Sequence, residues 1–244
     1  MAAPPAAMVF AAGLGTRMRP VTDAIPKPLV RIAGRTMLDH MLDRLGEAGV
    51  RRAVVNVHYR ADQIEEQLRD RTSPAVVVSD ERARLLDQAG GIRRALPHLA
   101  PGAFVICNTD AVWIEGAEPA LPRLFADWDP ERMDVLLLVA ETAGSVGVDW
   151  PGDFHRDPDG RLSRRAEGEA SSFVYAGVGI MKAEAFTDLE DGVPVRLAPY
   201  FFDAAAKGRL FGTRLDGRWL HVGTPAAIAE AEEACAEAGV EVVA

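Results

Sequence analysis

Residues 11–28 read Ala-Ala-Gly-Leu-Gly-Thr-Arg-Met-Arg-Pro-Val-Thr-Asp-Ala-Ile-Pro-Lys-Pro. Gly13 and Gly15 carry no side chain, so they can turn main-chain N–H groups onto a phosphate without obstruction. Arg17 places a permanently charged, planar fork beside the same phosphates. Lys27, held between Pro26 and Pro28, is a second cation on a stiffened extended segment. An amide cradle with two cations suits a reaction that builds charge on a phosphoryl group. Two familiar phosphate loops do not fit. A dinucleotide fingerprint wants Gly where Met18 stands and a helix at once, and Pro20 and Pro26 interrupt that helix. A Walker loop wants Gly-Lys-Ser/Thr, which is absent.

A carboxylate stands further along, in Asn108-Thr109-Asp110, directly after the apolar run Phe104-Val105-Ile106-Cys107. At the carboxyl end of a strand and facing a triphosphate, Asp110 is a natural Mg²⁺ ligand. The same spacing equally suits an Asp that caps the next turn.

These residues need a scaffold, and the chain supplies one. Met8–Ala12, Ala53–Val57, Val76–Val78 and Phe104–Cys107 read as buried strands. Between them, residues 36–48 carry apolar side chains at helical spacing and stop at Gly49, Ile64 and Leu68 mark a second helix, and a third is predicted over Gly91–Leu96. Alternating strands and helices mean a parallel sheet with helices on both faces, and ligands in such sheets bind beyond the carboxyl ends of the strands. The second half is less regular. Helices are predicted near 118–128, 196–206 and 224–237, with Thr224-Pro225 as N-cap and first helical residue. Strands are predicted over Met133–Ala140 and near 172–181, 210–214 and 218–222. The Gly/Pro/Asp-rich stretch Gly144–Gly160 reads as a pair of turns beside the site. No hexapeptide repeat is present.

Composition narrows the class. A chain of 244 residues, 48% hydrophobic and 26% charged, suits one soluble α/β domain spanning 8–244. No apolar run approaches the roughly 20 residues that span a bilayer. Met1–Ala7 carries no Lys or Arg, lacks the charged region of a signal peptide, and reads as a short disordered tail, so a cytoplasmic protein is expected. A net charge of −9 argues against nucleic acid as a partner. Small anions remain possible, because Arg17, Arg19, Lys27, Arg31 and Arg35 cluster locally. Cys107 and Cys235 show no metal or disulfide spacing. His40 reads as a helix residue, and His58, His98 and His155 as loop or surface.

The pattern Ala11-Ala12-Gly13-x-Gly15-Thr16-Arg17-Met18-x-Pro20-x-Thr22-x-x-x-Pro26-Lys27-Pro28-Leu29 resembles the signature of the sugar-1-phosphate nucleotidyltransferases. The resemblance implies a doubly wound α/β domain with a mixed, mainly parallel sheet, which binds a nucleoside triphosphate and a sugar 1-phosphate. It implies that Ala11, Ala12, Gly13, Gly15, Thr16 and Arg17 hold the triphosphate, that Lys27 neutralises phosphate charge during transfer, and that Asp110 binds the metal. Mg²⁺ is the implied cofactor, with Mn²⁺ possible. Leu85-Leu86-Asp87-Gln88-Ala89-Gly90-Gly91-Ile92 stands where relatives have a Thr-Gly-Gly-Gly-type turn that holds base and ribose. Gln88, Gly90 and Gly91 are therefore implied nucleotide contacts. Gln88 could pair with a pyrimidine edge, because an amide both donates and accepts, or it could simply start a helix.

Trp219-Leu220-His221-Val222-Gly223-Thr224 resembles a Trp-x-Asp-Val-Gly-Thr segment whose Asp is a second metal ligand in the family. Here that ligand position is His221. Imidazole suits softer ions than Mg²⁺, so three readings stand: direct ligation of Mn²⁺ or a similar ion, a water bridge to Mg²⁺, or contact with phosphate or main chain only. Gly152-Asp153-Phe154, Tyr175-Ala176-Gly177-Val178 and Arg196-Leu197-Ala198-Pro199 extend the likeness to the N-acetylmuramate 1-phosphate uridylyltransferase branch of cell-wall recycling, from Val9 to about Glu233. That branch implies UTP and N-acetylmuramate 1-phosphate as substrates, with Asn108, Asp153 and Gly177 touching the sugar. Asp153 could as easily cap a turn. The rivals are glucose-1-phosphate thymidylyl- or uridylyltransferase, mannose-1-phosphate guanylyltransferase, phosphocholine cytidylyltransferase, and a non-catalytic nucleotide-sugar-binding regulator. The altered Gln88-Ala89 and His221 positions favour the regulator, whereas intact Arg17, Lys27 and Asp110 argue against it.

Overall fold

In the first strand Ala7 and Val9 point into one apolar cluster and Met8 into another, so a period of two divides the core between the two faces of a sheet. The structure is a computed structural model, and it describes residues 4–99 and 101–240. In chain order its first half comprises β1 (Ala6–Phe10), the short hairpin of β2 (Arg31–Ile32) and β3 (Arg35–Thr36), α1 (Met37–Glu47), β4 (Arg52–Val57), α2 (Ala61–Leu68), β5 (Ala75–Asp80), α3 (Asp87–Ala95), β6 (Ala103–Asn108) and β7 (Ala111–Glu115). The second half comprises α4 (Ala120–Asp127), β8 (Val135–Glu141), β9 (Phe154–Arg156), β10 (Leu162–Arg164), β11 (Phe173–Lys182), α5 (Ala198–Ala206), β12 (Leu210–Arg214), β13 (Gly217–His221) and α6 (Pro225–Glu237).

The main sheet runs β10-β9-β11-β6-β1-β4-β5, with β8 beside β11 and β12 beside β8. Strands β6, β1, β4 and β5 are parallel, and β11 is antiparallel to β6 and β8. The expected mixed α/β fold is therefore observed, with its parallel part β6-β1-β4-β5 running to one edge of the sheet. Three carboxyl ends, of β1, β4 and β6, stand side by side because Phe10 pairs with both Asn56 and Asn108. That register gathers the loops that follow those strands.

Helix starts follow their caps. Thr36 Oγ1 accepts from the Asp39 N–H at the start of α1, and Thr224 Oγ1 accepts from Ala227 N–H at the start of α6, with Pro225 as the first helical residue. A third apolar cluster joins Met18, Ile32, Val112, Leu220 and Ala231, so α6, β13, β7 and the phosphate-loop region share one small core.

Three local expectations need correction. Strand β1 begins at Ala6, and Ala6 and Ala7 are buried in the sheet and do not belong to a tail. The rest of the expected tail includes Met1–Ala3, which lie outside the described residues. Helix α3 starts at Asp87, ahead of the expected Gly91, because Leu86 and Ala89 are apolar enough to bury and extend the helical face toward the site. The strand expected near 218–222 is observed as β13, which pairs with β7 outside the main sheet, because His221 to Gly217 align with Ala111 to Glu115. Finally, the stretch Gly144–Gly160 also contains β9, which pairs with β10 and β11.

Candidate active site

The loop after β1 is held from both sides. Gly15 adopts φ of 63°, and a Cβ there would sit 3.0 Å from Thr22 Cγ2 and 3.2 Å from Lys27 Cβ. Thr22 is buried, and its hydroxyl donates to Gly15 O at 2.8 Å. The Tyr59 hydroxyl in turn donates to Thr22 O at 2.8 Å. Met18 anchors the following 3-10 turn in the third core. The N–H groups of Gly13, Leu14 and Gly15 have no acceptor among the described residues, so the loop presents free donors to an anion. The Ala11 N–H is not one of them, because it donates to Asn56 Oδ1 at 2.8 Å.

Asn56 belongs to a buried relay absent from the sequence reading. Its Nδ2 donates to Glu81 Oε1 at 2.8 Å, and Leu86 N–H donates to Glu81 Oε2 at 3.0 Å. Burial pushes the Glu81 carboxyl above its ordinary value, against the pull of those two donors. The relay ties the phosphate loop to the segment that begins α3. The signals for it were a lone Asn in an apolar strand and a Glu directly after Asp80, each a polar group where burial demands a partner.

Lys27 and Asp110 meet at the centre. Lys27 Nζ is 2.7 Å from Asp110 Oδ2, with both side chains largely buried. Lys27 starts a 3-10 turn, Lys27–Leu29, where an extended segment was expected, because only Pro26 keeps extended backbone. Burial alone would push the Asp110 carboxyl up, but Lys27, His221 and Arg17 outweigh it and hold the group below the ordinary carboxylate range. Thr109 Oγ1 donates to Phe10 O at 3.1 Å and fastens the end of β6 to the end of β1. Arg17 is exposed and forms no ion pair with any described residue. One cavity of about 600 Å³ is lined by Ala11 to Gly13, Gly15 to Arg17, Lys27, Gln88, Asn108 and Asp110.

His221 reaches this region because the β7–β13 register sets it opposite Ala111, next to Asp110. It lines a neighbouring pocket shared with Arg17 and Gly223. Its ring packs 5.5 Å from that of Trp150, edge to face, and over Gly223, where a Cβ would come 2.6 Å from Nε2. Burial pushes the imidazole below its ordinary value; Asp110 opposes this, while Lys27 and Arg17 reinforce it. The ring is therefore neutral at neutral pH, as a metal ligand must be.

Among the described residues no three His, Cys, Asp or Glu side chains form a ready metal cage. A donor set of Asp110 with His221 beside it fits an ion that completes its shell from water and phosphate oxygens, which is how Mg²⁺ is usually held.

The remaining expected contacts divide. Gln88 and Asn108 line the main cavity and a second one, and Gln88 Nε2 donates to Asn108 Oδ1 at 2.9 Å. Gln88 thus stands in the first turn of α3 with one of its two amide N–H donors used and Oε1 free among the described residues. Gly90 and Gly91 are buried in α3 and line neither cavity. A Cβ on Gly90 would come 2.4 Å from Val193 O, and one on Gly91 2.7 Å from Glu81 Oε1. Close packing against these two neighbours accounts for both glycines without a nucleotide. Gly177 is also buried, at φ of 83° in the irregular part of β11, with Ala111 Cβ 2.5 Å from where its own would be. Its lack of a side chain serves that packing, and it lines neither cavity. Asp153 lines the second cavity, but its oxygens accept from Trp150 Nε1 at 3.1 Å and Tyr175 N–H at 2.9 Å, which is the turn-holding alternative.

Residues 7–147 match the family described as the MobA-like NTP transferase domain. The chain is 48% identical to the N-acetylmuramate alpha-1-phosphate uridylyltransferase of Caulobacter vibrioides, over 97% of this chain and 99% of that protein. It is 35% identical to the enzyme of the same name from Neisseria meningitidis serogroup B, over 93% and 96%. In fold it is similar to the inositol-1-phosphate CTP transferase of T. maritima, with a TM-score of 0.76 at 20% identity, covering 99% of each chain. No helix among the described residues is long and apolar enough to cross a membrane.

Proposed function

We propose, because the chain belongs to the MobA-like NTP transferase family and is a sugar-1-phosphate nucleotidyltransferase, that it joins UTP to N-acetylmuramate 1-phosphate and releases pyrophosphate. The substrate pair follows the two relatives that align nearly end to end with it. The observation that supports the chemistry is that the glycine loop, Arg17, Lys27 and Asp110 open on one cavity.

The reaction is an in-line displacement. A phosphate oxygen of the sugar 1-phosphate attacks the α-phosphorus of UTP. As that P–O bond forms, the bond from the α-phosphorus to the α–β bridging oxygen breaks, and pyrophosphate leaves with the electron pair. The nucleophile is already anionic, so no general base and no covalent enzyme intermediate is required. The N–H groups of Gly13 to Gly15 bind the phosphates, and Arg17 fixes them from the exposed side. Lys27 turns from Asp110 to the α-phosphoryl oxygens and stabilises the charge that grows there. Gln88, oriented by one N–H donated to Asn108, offers Oε1 and its second N–H to the pyrimidine edge. A divalent ion, Mg²⁺ first and Mn²⁺ second, held by Asp110 with His221 beside it, supplies further charge neutralisation when bound. The product would serve cell-wall recycling in the cytoplasm.

The test is pyrophosphate release from purified protein. UTP, dTTP, CTP and GTP are crossed with the 1-phosphates of N-acetylmuramate, N-acetylglucosamine, glucose and mannose, in Mg²⁺ and then Mn²⁺. Release chiefly with UTP and N-acetylmuramate 1-phosphate is expected. Release with a different pair would overturn the substrates and keep the chemistry. Nucleotide binding without any release would point to a regulator.

A further inference from the structure

The second cavity holds about 910 Å³ and adjoins the first, since Gln88 and Asn108 line both. Two guanidinium groups line it, and they are not equivalent. Arg165 is committed to main chain: Nε donates to Gly152 O at 3.0 Å, and Nη1 donates to Ala166 O at 3.0 Å and Glu169 O at 2.7 Å. Arg164, at the end of β10, forms no side-chain hydrogen bond and no ion pair with any described residue. Its guanidinium carbon lies 4.2 Å from the centre of the Phe202 ring.

That stack matters in two ways. It holds the guanidinium in one plane at little entropic cost, and it leaves the N–H edge free for a planar anion. The carboxylates lining the cavity do not use it. Asp153 accepts from Trp150 and Tyr175, and neither it nor Glu167 forms an ion pair with Arg164. The cavity thus offers one oriented, uncommitted cation beyond the phosphate site.

We infer that Arg164 is a specificity-determining residue that reads a carboxylate on the sugar. This rests on the proposed substrate pair. With its phosphate beside the α-phosphorus of a triphosphate on the glycine loop, the sugar would extend past Gln88 and Asn108, which line both cavities, toward the second one. N-acetylmuramate differs from N-acetylglucosamine only by a lactyl ether on the 3-oxygen, and that ether ends in a carboxylate. A guanidinium binds such a carboxylate through charge-assisted paired hydrogen bonds, and it gains far less from the hydroxyl that N-acetylglucosamine offers at that position.

The experiment compares wild type, Arg164→Met and Arg164→Lys with UTP and each of the two sugar 1-phosphates. It also measures calorimetric Kd values for the products UDP-N-acetylmuramate and UDP-N-acetylglucosamine, which need no turnover. Arg164→Met is expected to lower kcat/KM for N-acetylmuramate 1-phosphate on the order of 10-fold, through KM, after discounting for a solvent-exposed cation. The N-acetylglucosamine compounds should stay within about twofold, and Arg164→Lys should recover part of the loss because it keeps the charge. An equal fall with both sugars, or none with either, overturns the role of Arg164 while leaving the reaction intact. A wild-type enzyme that ignores N-acetylmuramate 1-phosphate and uses another sugar overturns the substrate pair itself, and this inference with it.

Discussion

Lys27 Nζ and Asp110 Oδ2 lie 2.7 Å apart although 83 positions separate them in the chain. The pair joins the end of the phosphate loop to the carboxyl end of β6, and it puts the cation and the carboxylate of the proposed reaction in one place. Without substrate each neutralises the other. In the proposed reaction the phosphate oxygens would compete for Lys27 and free Asp110 for a metal ion.

The pair makes the fold acid-sensitive in a defined way. A carboxyl held below its ordinary value stabilises the native state above the unfolded value, and that stability is lost as pH falls through the folded value. Asp110→Asn leaves Lys27 uncompensated, so it should cost about 1–3 kcal/mol at about pH 7. The difference from wild type should close as pH falls below the ordinary carboxylate range, through the lowered value at which Asp110 takes up a proton. Urea midpoints at neutral pH and below that range check this, and a difference that does not change with pH would remove Asp110 as its source.

Lys27→Ala should lower kcat by roughly 10²–10³, the size of effect seen when one preorganised donor to a developing charge is lost. Steady-state kinetics on protein with an unchanged far-UV circular dichroism spectrum measures this. Turnover near the wild-type value would take Lys27 out of the transition state.

His221→Asp should move the metal preference from Mn²⁺ toward Mg²⁺, because a carboxylate is a harder ligand than a neutral imidazole. The ratio of initial rates in the two ions reports the shift. A ratio equal to that of wild type would place His221 outside the coordination shell.

Glu81→Gln tests the buried relay. Both Glu81 oxygens accept, one from Asn56 and one from Leu86, so the amide of Gln must set an N–H group against one of those donors. The cost should be about 1–3 kcal/mol in a chemical denaturation curve. The KM for nucleotide should also rise, since Asn56 holds the Ala11 end of the phosphate loop. An unaltered KM would make the relay purely structural.

The sequence by itself determined the central strands, the loops that end them, and the grouping of Gly13, Gly15, Arg17 and Lys27 in one loop, while spacing left Asp110 open between metal ligand and turn cap. Those signals are local: apolar runs bounded by glycine and proline, and a dense pattern inside nineteen residues. Tertiary structure decided the rest. Gly90 and Gly91 looked like ligand contacts, yet Val193 and Glu81, brought in from other elements, explain them by packing. One amide N–H of Gln88 is taken by Asn108 from another strand end. Asn56 and Glu81 became partners only when β4 and β5 aligned. Arg164 could not be told from Arg165 until one guanidinium was seen tied to main chain and the other lying on Phe202. Each of these depends on which groups meet across the sheet, and a hydrogen bond or a van der Waals contact is decided by a few tenths of an ångström that spacing along a chain does not encode.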